Sequence, residues 1–189
     1  MPRTARFLKD KVCYHVIARG IPEGGIFPTD ADYQHYCRLL KKYKERFAVY
    51  IFAFCLLPFA VHLVIHPRAA RHLSLFIQRV NQAYAVYFNK KYKRTGRLWQ
   101  GRFKSVVLER DGDLFDCIRY VEFHPVRSAR AGSPVEYPWS SCTFRILGRA
   151  HNWLDTTIEN RDQVWPISSS PTGPQKKKST AGQTIPIKI

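Results

Sequence analysis

Between Val49 and Ile65 the chain carries two apolar runs, VYIFAFCLL and VHLVI, separated by Pro58, Phe59 and Ala60. So short a break, with a proline in it and β-branched residues on both sides, predicts an antiparallel pair of buried strands rather than a helix. The second strand is interrupted by His62. On a strand, positions 60, 62, 64 and 66 face one way, so the same-face neighbours of His62 are the apolar Ala60 and Val64. Such a histidine is either a core residue satisfied by an ordinary hydrogen bond or one arm of a metal site. A metal site needs another donor atom close by, and His66 stands roughly 13 Å along the strand, too far to share an ion without a bend.

The flanking sequence supplies the remaining elements. Val12 to Arg19, VCYHVIAR, alternates in part and is followed by Gly20, which suits a first strand. Thr29 can cap a helix with Asp32 as its capping-box partner, and Tyr33, Tyr36, Cys37, Leu40 and Phe47 recur at helical spacing over about 30–46. Leu73, Phe76, Ile77, Val80, Tyr84, Tyr87 and Phe88 trace a second helical stripe over about 71–90. Ser105 to Glu109 returns to strand character. Leu114, Cys117, Ile118 and Val121 mark a third helix, which Pro125 must end. The order strand, helix, strand, strand, helix, loop, strand, helix predicts an α+β fold: a ferredoxin-like antiparallel sheet with helices packed on it. The opposite sheet face is left for a ligand or another layer. Residues 1–150 are expected to form one domain, with EYPWSS wrapping back on the core through Tyr137 and Trp139. Residues 151–189 read as a basic, Pro/Ser-rich extension, flexible unless a partner orders it.

Charge narrows the partner. Thirty-one Lys and Arg against 14 Asp and Glu leave a net charge of +17, which points to a polyanion and first to nucleic acid. No apolar run approaches the roughly 20 residues that span a bilayer, and MPRTARFLKDK lacks the apolar segment of a secretory signal, so a cytoplasmic protein with no membrane partner is expected. The five cysteines are scattered, odd in number and without a CxxC pair, which supports neither a disulfide framework nor a structural zinc site.

The segment KKYKRTGRLWQGRFK, residues 90–104, holds seven basic residues and no acidic one, and Gly96 and Gly101 make it a loop. Lys90, Lys91, Arg94, Arg97, Arg102 and Lys104 can meet phosphate oxygens, while Trp99 and Phe103 offer stacking surfaces for unpaired bases. The alternative is a solvated loop whose Trp99 plugs the domain surface. Aromatic and arginine contacts serve RNA as well as DNA.

In DCIRYVEFHP the core stripe leaves Tyr120 rotated away from its centre. Tyr120 and His124, four apart, share one side of a helix that lasts through its final turn. A tyrosine hydroxyl can attack a phosphodiester and hold the 5′ phosphate covalently. The plain alternative is an amphipathic tyrosine and a histidine favoured by the helix dipole.

Taken together, YHVIARG at 14–20, FCLLPFAVHLVI at 54–65, YFNKKYKRTGRLWQGRFKS at 87–105, RYVEFHPVRSA at 119–129 and YPWSS at 137–141 closely resemble the tyrosine transposases of the IS200-like superfamily. More narrowly, they resemble its bacterial branch associated with repetitive extragenic palindromes, over about residues 7–148. The resemblance implies single-stranded DNA with a palindromic hairpin as partner and Tyr120 as the nucleophile, nicking and rejoining DNA through a 5′-phosphotyrosine. It assigns a divalent cation, Mg²⁺ or Mn²⁺, to His62 and His124, and DNA contact to Arg19 and the basic loop. It favours a monomer, as in the palindrome-associated branch, and leaves room for a dimer, as in the superfamily's insertion-sequence enzymes. His124 stands where the palindrome-associated branch more often has asparagine, and the strand triplet departs from the family outright: where relatives carry a stretch like PNHVHL, this one has PFAVHL. The first metal-binding histidine is Ala60, so the cation is expected to bind weakly, and a catalytically impaired or domesticated hairpin-DNA binder is the alternative function.

Overall fold

The computed structural model describes residues 8–21, 24–147, 153–155, 159–160 and 163–164. Its elements in chain order are β1 (Cys13–Arg19), α1 (Asp30–Arg46), β2 (Val49–Leu57), β3 (Ala60–Pro67), α2 (Ala70–Lys91), β4 (Lys104–Leu108), α3 (Asp111–Glu122), α4 (His124–Arg127), a 3₁₀ turn (Pro134–Glu136), α5 (Ser141–Leu147) and the short strands β5 (Glu159–Asn160) and β6 (Gln163–Val164). The two apolar runs form the expected hairpin, with Leu57 opposite Ala60 across a turn at Pro58 and Phe59. β3 also pairs antiparallel with β1, and β1 with β4. The order β2-β3-β1-β4 is that of a ferredoxin-like sheet, with the two central strands each opening a different β-α-β unit, β1-α1-β2 and β3-α2-β4.

Period-two alternation gives the sheet two apolar faces. Tyr14, Val16, Ala18, Val61, Leu63 and Ile65 face α1 and α2, meeting Tyr36, Leu40, Phe76, Val80 and Tyr84 in the larger core. Gly20 lies hard against this core: a Cβ there would fall 2.1 Å from Cγ2 of Ile26, a fully buried side chain. At the start of α1 the Thr29 amide donates to the Asp32 carboxylate (2.9 Å), the capping contact expected from the sequence.

The second face is covered by α3, whose Leu114, Cys117, Ile118 and Val121 pack on Cys13, Ala53, Cys55, Leu57 and Val64. Burying side chains such as Leu, Ile and Val contributes roughly 1.5–3 kcal/mol each. This helix is the additional layer, and it leaves open the sheet end at Arg19 and Lys104, both exposed.

α3 stops at Glu122 and the chain turns at Phe123 (φ −85°, ψ −1°) into the separate one-turn α4. A continuous helix through His124 would have asked Pro125 for an amide proton it does not have. The end of α3 is pinned from below. The buried Glu122 carboxylate accepts from Ser141 Oγ (2.7 Å) and Arg145 Nε (3.0 Å), and Arg145 also donates to the Phe52 carbonyl (2.7 Å).

YPWSS closes along β2, as its aromatic content suggests. The Leu56 amide donates to the Trp139 carbonyl (2.9 Å), the Tyr137 hydroxyl donates to the Leu56 carbonyl (2.7 Å), and Trp139 stacks on Tyr33 at 4.7 Å. Most of the expected extension from residue 151 lies outside the described residues. Within it, Trp153 is buried, and Asp155 accepts from the Ile51 amide (2.7 Å) and from Lys44 (2.5 Å). All five cysteines are free thiols, and among the described residues no helix is long and apolar enough to cross a membrane.

Candidate functional site

His62 sits on an inner strand, opposite Cys55 on β2 and Ile17 on β1, with 5% of its surface exposed. Directly opposed residues of an antiparallel pair point to the same face. The register therefore places His15 (opposite Val64) and Arg19 (opposite Ala60) on the His62 face. His15 Nε2 lies 3.2 Å from His62 Nδ1, a hydrogen bond between two buried imidazoles. α3 and α4 bring the remaining rings. His124 stands 4.3 Å from His62 between ring centroids, and Tyr120 lies 5.7 Å from His15 and 5.9 Å from His124, edge-on to both. The break at Phe123 does not separate Tyr120 from His124, because the Phe123 amide still donates to the Arg119 carbonyl (2.9 Å) and keeps helical spacing across the junction.

His15 is the member of this cluster that the sequence reading did not single out. Its signal was the alternation Cys13, His15, Ile17, Arg19 in the first strand, but only the pairing of β1 with β3 says which ring it meets. His66, opposite Tyr50 at the far end of β3, is buried away from the cluster.

The cluster disfavours protons. Burial, reinforced by His124, His15, Arg19 and Arg127, pushes His62 down to about 2. Burial and then His124 push His15 down to about 4. His124 is also below the ordinary histidine range, chiefly through burial, and its Nδ1 is buried without a hydrogen-bond partner. At neutral pH three uncharged imidazoles surround a half-buried tyrosine. The positive charge comes from arginine. The guanidinium carbon of Arg127 lies 3.9 Å from the Tyr120 ring centroid, and its Nη2 donates to the Tyr120 carbonyl.

A divalent cation here would need a third donor beside His62 and His124. Position 60 presents a methyl group, and His62 Nδ1 is engaged by His15. Among the described residues no group of three His, Cys, Asp or Glu side chains is arranged to hold a metal ion. The residues present do not complete the cation site that the resemblance implies.

The basic loop divides between structure and surface. Lys91 is committed to the fully buried Asp32 (2.6 Å), whose carboxylate also takes the Tyr92 hydroxyl (2.6 Å) and the Thr29 hydroxyl (2.7 Å). Trp99 donates from Nε1 to the Asn81 carbonyl (2.9 Å) and packs against Tyr36 and Tyr84. Phe103 is 9% exposed within the larger core. The core takes up most of both rings, so the surface plug describes Trp99 better than an open stacking face. Lys90, Arg94, Arg97 and Arg102 are exposed. Lys104 lies opposite Ile17, on the His62 face. The loop is drawn to the site by backbone bonds beside β1, from the Ile21 amide to Leu98 (3.0 Å) and from the Gln100 amide to Arg19 (2.9 Å).

Residues 9–124 match the family described as IS200-like transposase. A solved structure of a REP-associated tyrosine transposase bound to a REP hairpin shares the fold, with a TM-score of 0.66 and 14% identity over 94% of this chain and 100% of that one. A second structure, described as a transposase of Deinococcus radiodurans R1, aligns with 64% of this chain and 96% of its own at a TM-score of 0.43 and 16% identity. No curated protein matches the sequence.

Proposed function

The chain belongs to the IS200-like transposase family, and from that footing we propose that it binds single-stranded DNA carrying a palindromic hairpin and cuts it by attack of Tyr120. The observation that carries this reading is the convergence of Tyr120 with His15, His62 and His124 from three other elements, with a guanidinium against the tyrosine ring. The hairpin as ligand class is supported by the like-folded transposase described as bound to a REP hairpin.

In the proposed step the Tyr120 oxygen attacks phosphorus, an O–P bond forms, and the bond from phosphorus to the 3′ oxygen breaks. The products are a 5′-phosphotyrosine and a free 3′ hydroxyl, and the reverse attack by a 3′ hydroxyl rejoins DNA. The phenolic proton passes to a neutral imidazole, His124 with its unpartnered Nδ1 being the acceptor, and the imidazolium gives it to the departing 3′ oxygen. Among the described residues, Mg²⁺ or Mn²⁺ would meet the imidazoles of His62 and His124. A monomer suffices for this step, since the four rings lie within one chain.

The test is a denaturing gel of the protein with labelled hairpin oligonucleotides bearing single-stranded flanks, in EDTA, Mg²⁺ or Mn²⁺. A covalent adduct is expected with wild type and none with Tyr120→Phe; an adduct that persists in Tyr120→Phe refutes the nucleophile. Ala60 favours a second reading, a hairpin-DNA binder with impaired cleavage. On that reading wild type shifts the hairpin in a native gel without cutting it, and Ala60→His restores a nick. Ordinary cleavage by wild type rejects it.

A further inference from the structure

The geometry points to Arg19 and Arg127 as the seat of a DNA phosphate beside Tyr120, held without a divalent cation. This rests on the proposed DNA-binding function and addresses what fills the role left open at position 60.

The β1–β3 register sets Arg19 directly across from Ala60. Directly opposed side chains stand roughly 4.5–5.5 Å apart at Cβ, so the methyl of Ala60 leaves clear the space that an imidazole would share with the arginine. Arg19 itself is exposed at the open end of the sheet, two residues along the same face from Ile17, the partner of His62. Arg127 comes from the opposite side on α4, held over the Tyr120 ring and tied by Nη2 to the Tyr120 carbonyl. Two cations thus flank one buried imidazole and the tyrosine next to it.

Among the described residues neither guanidinium is paired with a carboxylate. Among the described residues the ion pairs of Asp32, Glu109, Asp113, Glu122 and Asp155 all go to other cations. Glu122, the carboxylate nearest Arg127 along the chain, is turned down onto Arg145 and Ser141. An anion is what this arrangement lacks. Guanidinium groups match phosphate oxygens with paired N–H donors and stay charged at every working pH. Lys104, on the same face one strand over, extends the positive track toward the basic loop.

The experiment uses the full chain and a fluorescein-labelled DNA hairpin with a 5′ single-stranded oligo-dT flank, read by anisotropy across a salt series in EDTA, MgCl₂ or MnCl₂. EDTA is expected to change the wild-type Kd by less than about twofold, while Arg19→Gln and Arg127→Gln each weaken binding about fivefold to tenfold and reduce the salt slope by about one. Arg127→Lys, which keeps the charge, retains the slope and so separates phosphate contact from loss of the Tyr120 carbonyl contact. The imidazole ¹⁵N signals of His15 and His62 report locally: they move on DNA addition in wild type and stay still in the Arg19→Gln/Arg127→Gln double variant. A wild-type affinity that falls more than about tenfold in EDTA overturns the inference, as do salt slopes unchanged in both single variants. DNA binding that survives with either of those results leaves the DNA-binding function standing, whereas no DNA binding by wild type in any buffer removes both.

Discussion

Lowering the pH from 7 to 5 is expected to destabilise the protein by about 4 kcal/mol through His15 and His62 alone. In the fold these two imidazoles are held to about 4 and about 2, against roughly 6.5 in an unfolded chain. A lowered folded value means that the unfolded chain takes up protons first as pH falls. The stabilisation is therefore present above about 6.5 and is lost downward from there toward the folded values. Each group loses about 2 kcal/mol by pH 5, and the pair removes a large part of the roughly 5–15 kcal/mol typical of a domain. His66 and His124, shifted in the same direction, chiefly by burial, add to the loss. Asp32 does not enter this window. Burial raises its pKa, but bonds from Lys91, Tyr92 and Thr29 outweigh burial and hold it low, so its contribution fades only below about pH 4. The assay is urea unfolding followed by tryptophan fluorescence at pH 7, 6 and 5. His15→Asn, which removes one titrating group, should cut the two-histidine loss by about half. A wild-type loss under about 1 kcal/mol would refute the reasoning, as would a His15→Asn variant whose loss equals that of wild type.

Arg145→Ala should cost about 3–5 kcal/mol, because it strands the buried Glu122 carboxylate and frees the Phe52 carbonyl together; chemical denaturation measures it, and a cost below about 1 kcal/mol would mean that Glu122 does not anchor α3. Gly20→Ala should lower stability by about 1–3 kcal/mol, since its Cβ would fall 2.1 Å from the buried Ile26 side chain. In an Ile26→Ala background, which removes the Cγ2 that the new methyl would meet, Gly20→Ala should cost less, and an equal cost in both backgrounds would place the strain elsewhere.

Much of the fold was legible in the sequence because its signals are local. The hairpin around Pro58 needed only two apolar runs and a break, and α1 and α2 needed only their apolar stripes and, for α1, the Thr29–Asp32 cap. Trp99 was legible only as two possibilities, an open stacking ring or a plug. The choice lay with Tyr36 and Tyr84, which come from other helices. The end of α3 was half legible: Pro125 forbade a continuous helix, but that Tyr120 and His124 stay together depended on the bond across Phe123.

The site divides along the same line. The sequence by itself determined that Tyr120 and His124 are one helical turn apart, that His62 lies on a strand, and that position 60 carries no donor atom, because these are statements about spacing and side-chain chemistry. Only the tertiary structure decided that His15 bonds to His62 and that Arg19 stands across from Ala60. Those contacts follow from the register between β1 and β3, strands separated in sequence by the whole of α1 and β2. A slip of one residue would turn every side chain of β1 to the other face, and what forbids the slip is the pair of cores on either side of the sheet, a property of the packed whole that no local pattern of residues carries.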